Sequence, residues 1–262
     1  MGSEQQRRPS PEQATGIFRK EFEHHRALQE RAVDHVLSDM HRQNSISWQN
    51  ALLPTHVHGK KCVAGCMDDG LKAHLQAPPG IDITRGVSLG DSIVRTAAQM
   101  IKVGATKIRS HRVCGAAKLA YNELLKRGQL PMGIYDPDMF ARWYGDAVAS
   151  EADIEHEFVS YLDRPDDYHP ARALVIPPRG MGVSAALPHG LSAFVLSRER
   201  FDPQNIFLAD NIARSQHGAL HESADPFNVM LLDDRQPHGE DLARDLKSYV
   251  SGRNIYVHTI TI

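Results

Sequence analysis

The sequence predicts an α/β protein: a central, mostly parallel sheet flanked by helices, preceded by an N-terminal helical arm. Three observations lead there. Short apolar runs such as Cys62–Cys66, Thr106–Arg109 and Phe227–Leu232 alternate with longer stretches of helical period. Strand–helix–strand order implies parallel strands joined by right-handed crossovers. At 262 residues the chain is long enough to bury a sizeable core without staples. The expected organisation is a disordered lead over residues 1–12, a helical arm over 13–54 and one α/β domain over 55–262.

The elements follow in order. Residues 1–12 are polar and contain two prolines. From about Thr15, Phe18, Phe22, Leu28, Ala32, Val36 and Met40 repeat at three- and four-residue spacing, which predicts a long amphipathic helix. It lies either on its own domain or on a second subunit. Ile46, Trp48, Leu52 and Leu53 anchor a mixed segment. Cys62–Cys66 reads as a strand of a parallel sheet, broken by Met67-Asp68-Asp69-Gly70 before a helical turn at Leu71–Leu75. Ile81–Thr84 reads as a second short strand ended by Arg85-Gly86. Ile93, Ala97, Met100 and Ile101 mark a helix that ends near Gly104. Thr106–Arg109 is a third strand. It turns at His111 into a helix closed by Gly128.

Beyond that helix, residues 137–162 read as helical and Asp163–Pro170 as a linker. Arg172–Ile176 reads as a strand and Leu191–Leu196 as an apolar run. The last unit is a strand at Phe227–Leu232, a helix at Gly239–Val250 and a strand at Asn254–Ile262. No internal repeat is visible.

In parallel sheets ligands gather at the C-terminal ends of strands. Cys66, Arg85, His111 and Cys114 all fall at such ends. Two thiols and one imidazole from two strand tips make a Cys2His set with one position open, the pattern of catalytic zinc. Cys114 sits near a helix N-terminus, which favours its thiolate. Asp68, two residues past Cys66, can orient a water on the metal or fill the fourth position itself. Cys62 shares a face with Cys66, but four residues of straight strand hold them about 13 Å apart, so Cys62 reads as a buried small residue. His56 and His58, two apart, and His217 and His221, four apart, are weaker pairs. Each reads better as polar surface than as ligands.

Cys66-Met67-Asp68 together with His111-Arg112-Val113-Cys114-Gly115-Ala116 resembles the β-class carbonic anhydrases, whose signature is C-x-D-x-R followed by H-x-x-C-G. Ile83-Thr84-Arg85-Gly86 and the helix over Ser88–Gly104 are similar to the segment between those motifs. The resemblance covers about residues 60–125 and places Gly70 where the family has arginine. It implies Zn2+ held by Cys66, His111 and Cys114, with Asp68 and Arg85 as catalytic residues. It also implies reversible hydration of CO2 to bicarbonate in a homodimer or higher homo-oligomer. The alternative is a non-catalytic, zinc-stabilised scaffold or binding protein in which Asp68 caps the metal.

Composition narrows the partners. Thirty lysines and arginines against 32 aspartates and glutamates give no reason to expect nucleic acid or an anionic membrane. No apolar run approaches the roughly 18 residues of a membrane span, and no signal-like segment opens the chain. Three cysteines suit reduced thiols or metal ligands. A cytoplasmic protein acting on a small molecule is the expectation.

Overall fold

Two four-stranded parallel sheets, wound in the same order, form the frame of the computed structural model. It describes residues 11–41, 46–54, 62–68, 71, 75–76, 79–162, 171–183, 187–198, 202–214, 225–233 and 238–262. Gly70, the His56/His58 pair and the His217/His221 pair lie outside these.

Helix α1 (Pro11–His41) opens the described chain. Its Phe22, Ala32, Val33 and Val36 are buried, whereas Leu28 is exposed. The helix lies on its own chain. Gln29 donates to the Gly190 carbonyl and accepts from the Ser192 amide, and Glu30 pairs with Arg172. Helix α2 (Ile46–Ala51) leads into strand β1 (Leu52–Pro54), which pairs with β7 (Met181–Val183) antiparallel.

The first large sheet contains β2 (Cys62–Gly65), β3 (Leu75–Gln76), β4 (Ala105–His111) and β5 (Glu155–Val159), in the spatial order β3-β2-β4-β5. The second contains β6 (Ala173–Ile176), β8 (Phe194–Val195), β9 (Phe227–Asp233) and β10 (Ile255–Thr261), in the order β10-β9-β6-β8. All pairs within both are parallel. By order of appearance, each sheet runs second–first–third–fourth. This repeat belongs to the topology, not to residue identity, which is why the sequence does not show it. The sheets meet where the Val195 amide donates to the Met67 carbonyl at 2.7 Å, beside a bridge between Asp68 and Phe194.

Helices α3 (Ile81–Thr84), α4 (Leu89–Lys102), α5 (Gly115–Lys126) and α6 (Pro137–Ala152) serve the first sheet. α7 (Gln204–Arg214) and α8 (His238–Tyr249) serve the second. One buried cluster draws on both sheets, from Ala64, Ile108, Phe140 and Tyr144 to Phe194, Ile206, Leu231 and Leu246. A second packs α1 and Trp48 on the other side of the second sheet, against Val175, Val195 and Met230. Each fully buried aliphatic or aromatic side chain contributes on the order of 1.5–3 kcal/mol.

Three expected elements differ. Leu75, expected to close a helical turn over Leu71–Leu75, instead pairs with Ala64 in β3. Ile81–Thr84 is helical, not a strand. It follows Gly80 at φ +66°, buries Ile81 and Ile83, and bonds Thr84 Oγ1 to the Ile81 carbonyl. A run of four apolar and polar residues does not fix its own period. The helix expected over 137–162 stops at Ala152. Asp153 caps it in the left-handed region at φ +52°, a role Asp tolerates better than most residues. Beyond it, β5 joins β4, with Glu155 and Glu157 facing Lys107 and Arg109 in ion pairs.

Candidate metal centre

β2 and β4 are neighbours, and the chain crosses from β3 on one side of β2 to β4 on the other. Such a reversal leaves a crevice at the strands' C-terminal ends. Cys66 follows the last residue of β2, His111 ends β4, and Cys114 is the N-cap of α5. The ligand atoms of Cys66, His111 and Cys114 all lie within 4.8 Å of one another, and all three residues are buried.

The geometry fits a metal ion. The two sulfurs are 3.6 Å apart and not bonded as a disulfide. Sulfurs about 2.3 Å from a tetrahedral zinc stand about 3.8 Å apart. His111 Nδ1 donates to the Arg112 carbonyl at 2.8 Å, which turns Nε2 toward the sulfurs. Nε2 is buried and makes no hydrogen bond of ordinary geometry, although it faces the Cys114 sulfur, with which it interacts. A buried polar atom without such a bond costs free energy, and a cation between the sulfurs would satisfy this one.

The charges are arranged accordingly. Accepting a hydrogen bond from the Cys66 thiol holds Cys114 well below the ordinary thiol range, against the opposing effect of burial, and the His111 imidazolium assists. Donating that bond, together with burial, raises Cys66 well above it. Burial alone would lower His111, but the Cys114 thiolate, then Asp68 and the Arg112 carbonyl, hold it up at about 9. These directions favour, without metal, a thiol at Cys66, a thiolate at Cys114 and an imidazolium at His111.

Comparison with known proteins adds no relative: no family model, no curated protein and no solved structure matches the chain.

The other sequence-derived residues divide. Asp68 is buried beside the cluster, and its charge bears on both Cys66 and His111. Its carboxylate stands outside the set of converging ligand atoms, so among the described residues the protein supplies three donors. Arg85 is engaged elsewhere. It donates to Asp202 at 2.7 Å and to Asn205 at 2.9 Å, linking the end of α3 to the start of α7. Cys62 is buried in the core.

Sequence reasoning does not find the wall that the second half of the chain contributes. Ile212 of α7 packs so closely on Gly115 that a Cβ there would sit 3.0 Å from its Cδ1. Nor does it find Ser110, whose Oγ lies 2.8 Å from His156 Nε2, while His156 Nδ1 lies 2.6 Å from Asp146. This is the order of a serine–histidine–aspartate triad. Ser110 is 3% exposed, and the adjoining cavity is about 20 Å³, room for a single water and no acyl substrate. The chain of bonds therefore ties β4, β5 and α6 together and does not form a nucleophilic site. A wider cleft of about 670 Å³, between α3, α5 and α7, includes none of the three ligand residues in its lining.

Proposed function

We propose that the protein is a zinc enzyme that adds water across a small electrophile, with CO2 as the substrate and bicarbonate as the product. One observation carries the reading: two sulfurs and a buried imidazole nitrogen with no hydrogen bond of ordinary geometry converge, with no fourth described protein ligand among them. Such a Cys2His set matches catalytic zinc, whereas structural zinc takes four protein ligands. The motif resemblance to β-class carbonic anhydrases supports the same chemistry. Zinc, when bound, lowers the pKa of a water it holds to about 7 and so makes a nucleophilic oxygen available at neutral pH.

The residues of this chain set the conditions. The sulfurs of Cys66 and Cys114 would hold and neutralise the ion, and the Arg112 carbonyl fixes the His111 tautomer. Asp68, buried beside the cluster, would accept a hydrogen bond from a water at the position the three ligands leave open and so orient it. Cys66, Cys114, Met67 and Phe194 belong to one buried apolar cluster, which limits bulk water there. CO2 is uncharged and small, which suits so enclosed a site. Stopped-flow hydration of CO2 by the zinc-loaded protein tests the proposal. The expected result is a zinc-dependent rate above buffer background, lost in Cys114→Ser. A background rate with zinc fully loaded overturns it.

The burial of Asp68 beside the cluster favours a second reading, in which this carboxylate rotates onto the metal and the protein is a zinc-stabilised scaffold. Asp68→Ala then opens the ion to anions such as azide. Unchanged anion binding in that variant removes the second reading.

A further inference from the structure

We infer that Asp138 is a positioning residue for the metal centre, latching the turn between His111 and Cys114 through the Val113 backbone. The inference rests on the reading of Cys66, His111 and Cys114 as metal ligands. The turn Arg112-Val113 must reverse direction so that a strand-end imidazole and a helix-cap thiol face one point. It does so with Val113 at φ +56°. That left-handed conformation disfavours any side chain with a Cβ, and a β-branched one most. Such strain persists only where neighbours enforce it.

The enforcing contact comes from another element. Asp138 Oδ1, in the first turn of α6, accepts the Val113 amide at 2.7 Å. α6 is itself fixed at that end. Asp136 caps it by accepting the Met139 amide at 2.7 Å, and Pro137 occupies its first turn. A charged acceptor on a backbone amide is among the stronger hydrogen bonds. On the far side of Val113 the Arg112 amide is held by the Val159 carbonyl at 3.1 Å. Asp138 also faces Arg112, at 3.9 Å from Nε, but both side chains are substantially exposed there and the pair adds little. The oxygen on the Val113 amide is the latch. Its action on the ligands is indirect: it sets the φ that aims His111 Nε2 and Cys114 Sγ together.

The test uses the full chain and zinc alone, with affinity read by competition against a chromophoric chelator. Asp138→Ala is expected to weaken zinc binding about 10-fold or more, the range for lost outer partners of metal ligands. Asp138→Asn keeps an acceptor oxygen and is expected to recover most of the loss. Val113→Gly removes the conformational penalty, so in the Asp138→Ala background it is expected to restore binding. Arg112→Ala is expected to stay within about 2-fold. A second measurement does not involve the metal: hydrogen exchange of the Val113 amide in metal-free protein, expected to be slow in the parent and fast in Asp138→Ala. Parent-like affinity in Asp138→Ala, no rescue by Val113→Gly, or an unprotected Val113 amide in the parent overturns the latch. A parent chain that takes up no zinc, yet shows the exchange difference, refutes the metal-centre reading and leaves the latch standing.

Discussion

Zinc loading of the Cys66–His111–Cys114 cluster must expel protons, and their number follows from the charges already in place. A metal ligand is a thiolate or a neutral imidazole. Without metal, Cys114 is held well below the usual thiol range and has no proton to give. Cys66 is held well above it, and His111 is held at about 9. At pH 7–8 each of these two therefore carries one proton that zinc displaces. Two protons from the ligands make the apparent affinity rise about 100-fold for each pH unit, or about 2.7 kcal/mol, and a zinc-held water of pKa about 7 adds up to one more proton over pH 7–8. The slope falls to one proton as the pH passes about 9, where His111 is already neutral. Calorimetric titration with zinc in buffers of different ionisation enthalpy, at pH 7.0, 7.5 and 8.0, counts the protons directly. Release of fewer than two would refute the assignment of a thiol–thiolate–imidazolium cluster, whatever the affinity.

The same groups give the metal-free protein a stability plateau. The raised His111 contributes fully below about pH 6.5 and loses its contribution as the pH rises through about 9, while the lowered Cys114 gains its contribution over that window. The two offset each other up to about pH 9, where the His111 contribution is spent, and above that the raised Cys66 alone loses ground. Thermal unfolding with chelator present is expected to show little site-derived change between pH 7 and 8.5 and a fall above 9. A steep change within the plateau would contradict this. Gly145→Ala should favour helix α6 by about 1 kcal/mol on propensity, yet its Cβ would stand 2.3 Å from His156 Nε2. Displacing that ring leaves Ser110 buried without its partner, at about 1–3 kcal/mol, so Tm is expected to fall, and a raised Tm would show the ring to be free to move. Arg85→Gln removes the bonds to Asp202 and Asn205 and is expected to lower stability by about 1 kcal/mol while sparing hydration. A variant with parent stability and no activity would instead return Arg85 to the catalytic machinery.

How much of this the sequence carries varies with the distance over which each feature is determined. The three candidate ligands are legible because two sit at the ends of β2 and β4 and the third caps the helix that follows, and the parallel winding brings those ends together. Local spacing thus stands in for spatial proximity. Ile81–Thr84 is not legible, because its helical form is set by Gly80 and by burial against α5. β5 hides behind a helix cap made by Asp153 rather than glycine; the alternation of Glu155 and Glu157 is the signal that marks it. Asp138 and His156 act on residues 25 and 46 positions away, with no motif to announce them. Arg85 is the opposite case. Its place near a family motif suggests chemistry, while its two partners lie more than a hundred residues downstream.

The shared interior of the two sheets bears on how the chain can be dissected. Leu231, Leu246 and Ile206 pack in the same cluster as Ala64 and Ile108. A fragment ending at residue 162 would retain all three ligand residues but expose that seam, including the surface that Ile212 now shields over Gly115. Such a truncation trades a sealed crevice for a sticky, wetted one. The second sheet with its helices, which contributes none of the candidate ligands, is thus the part that covers the candidate metal centre through Ile212.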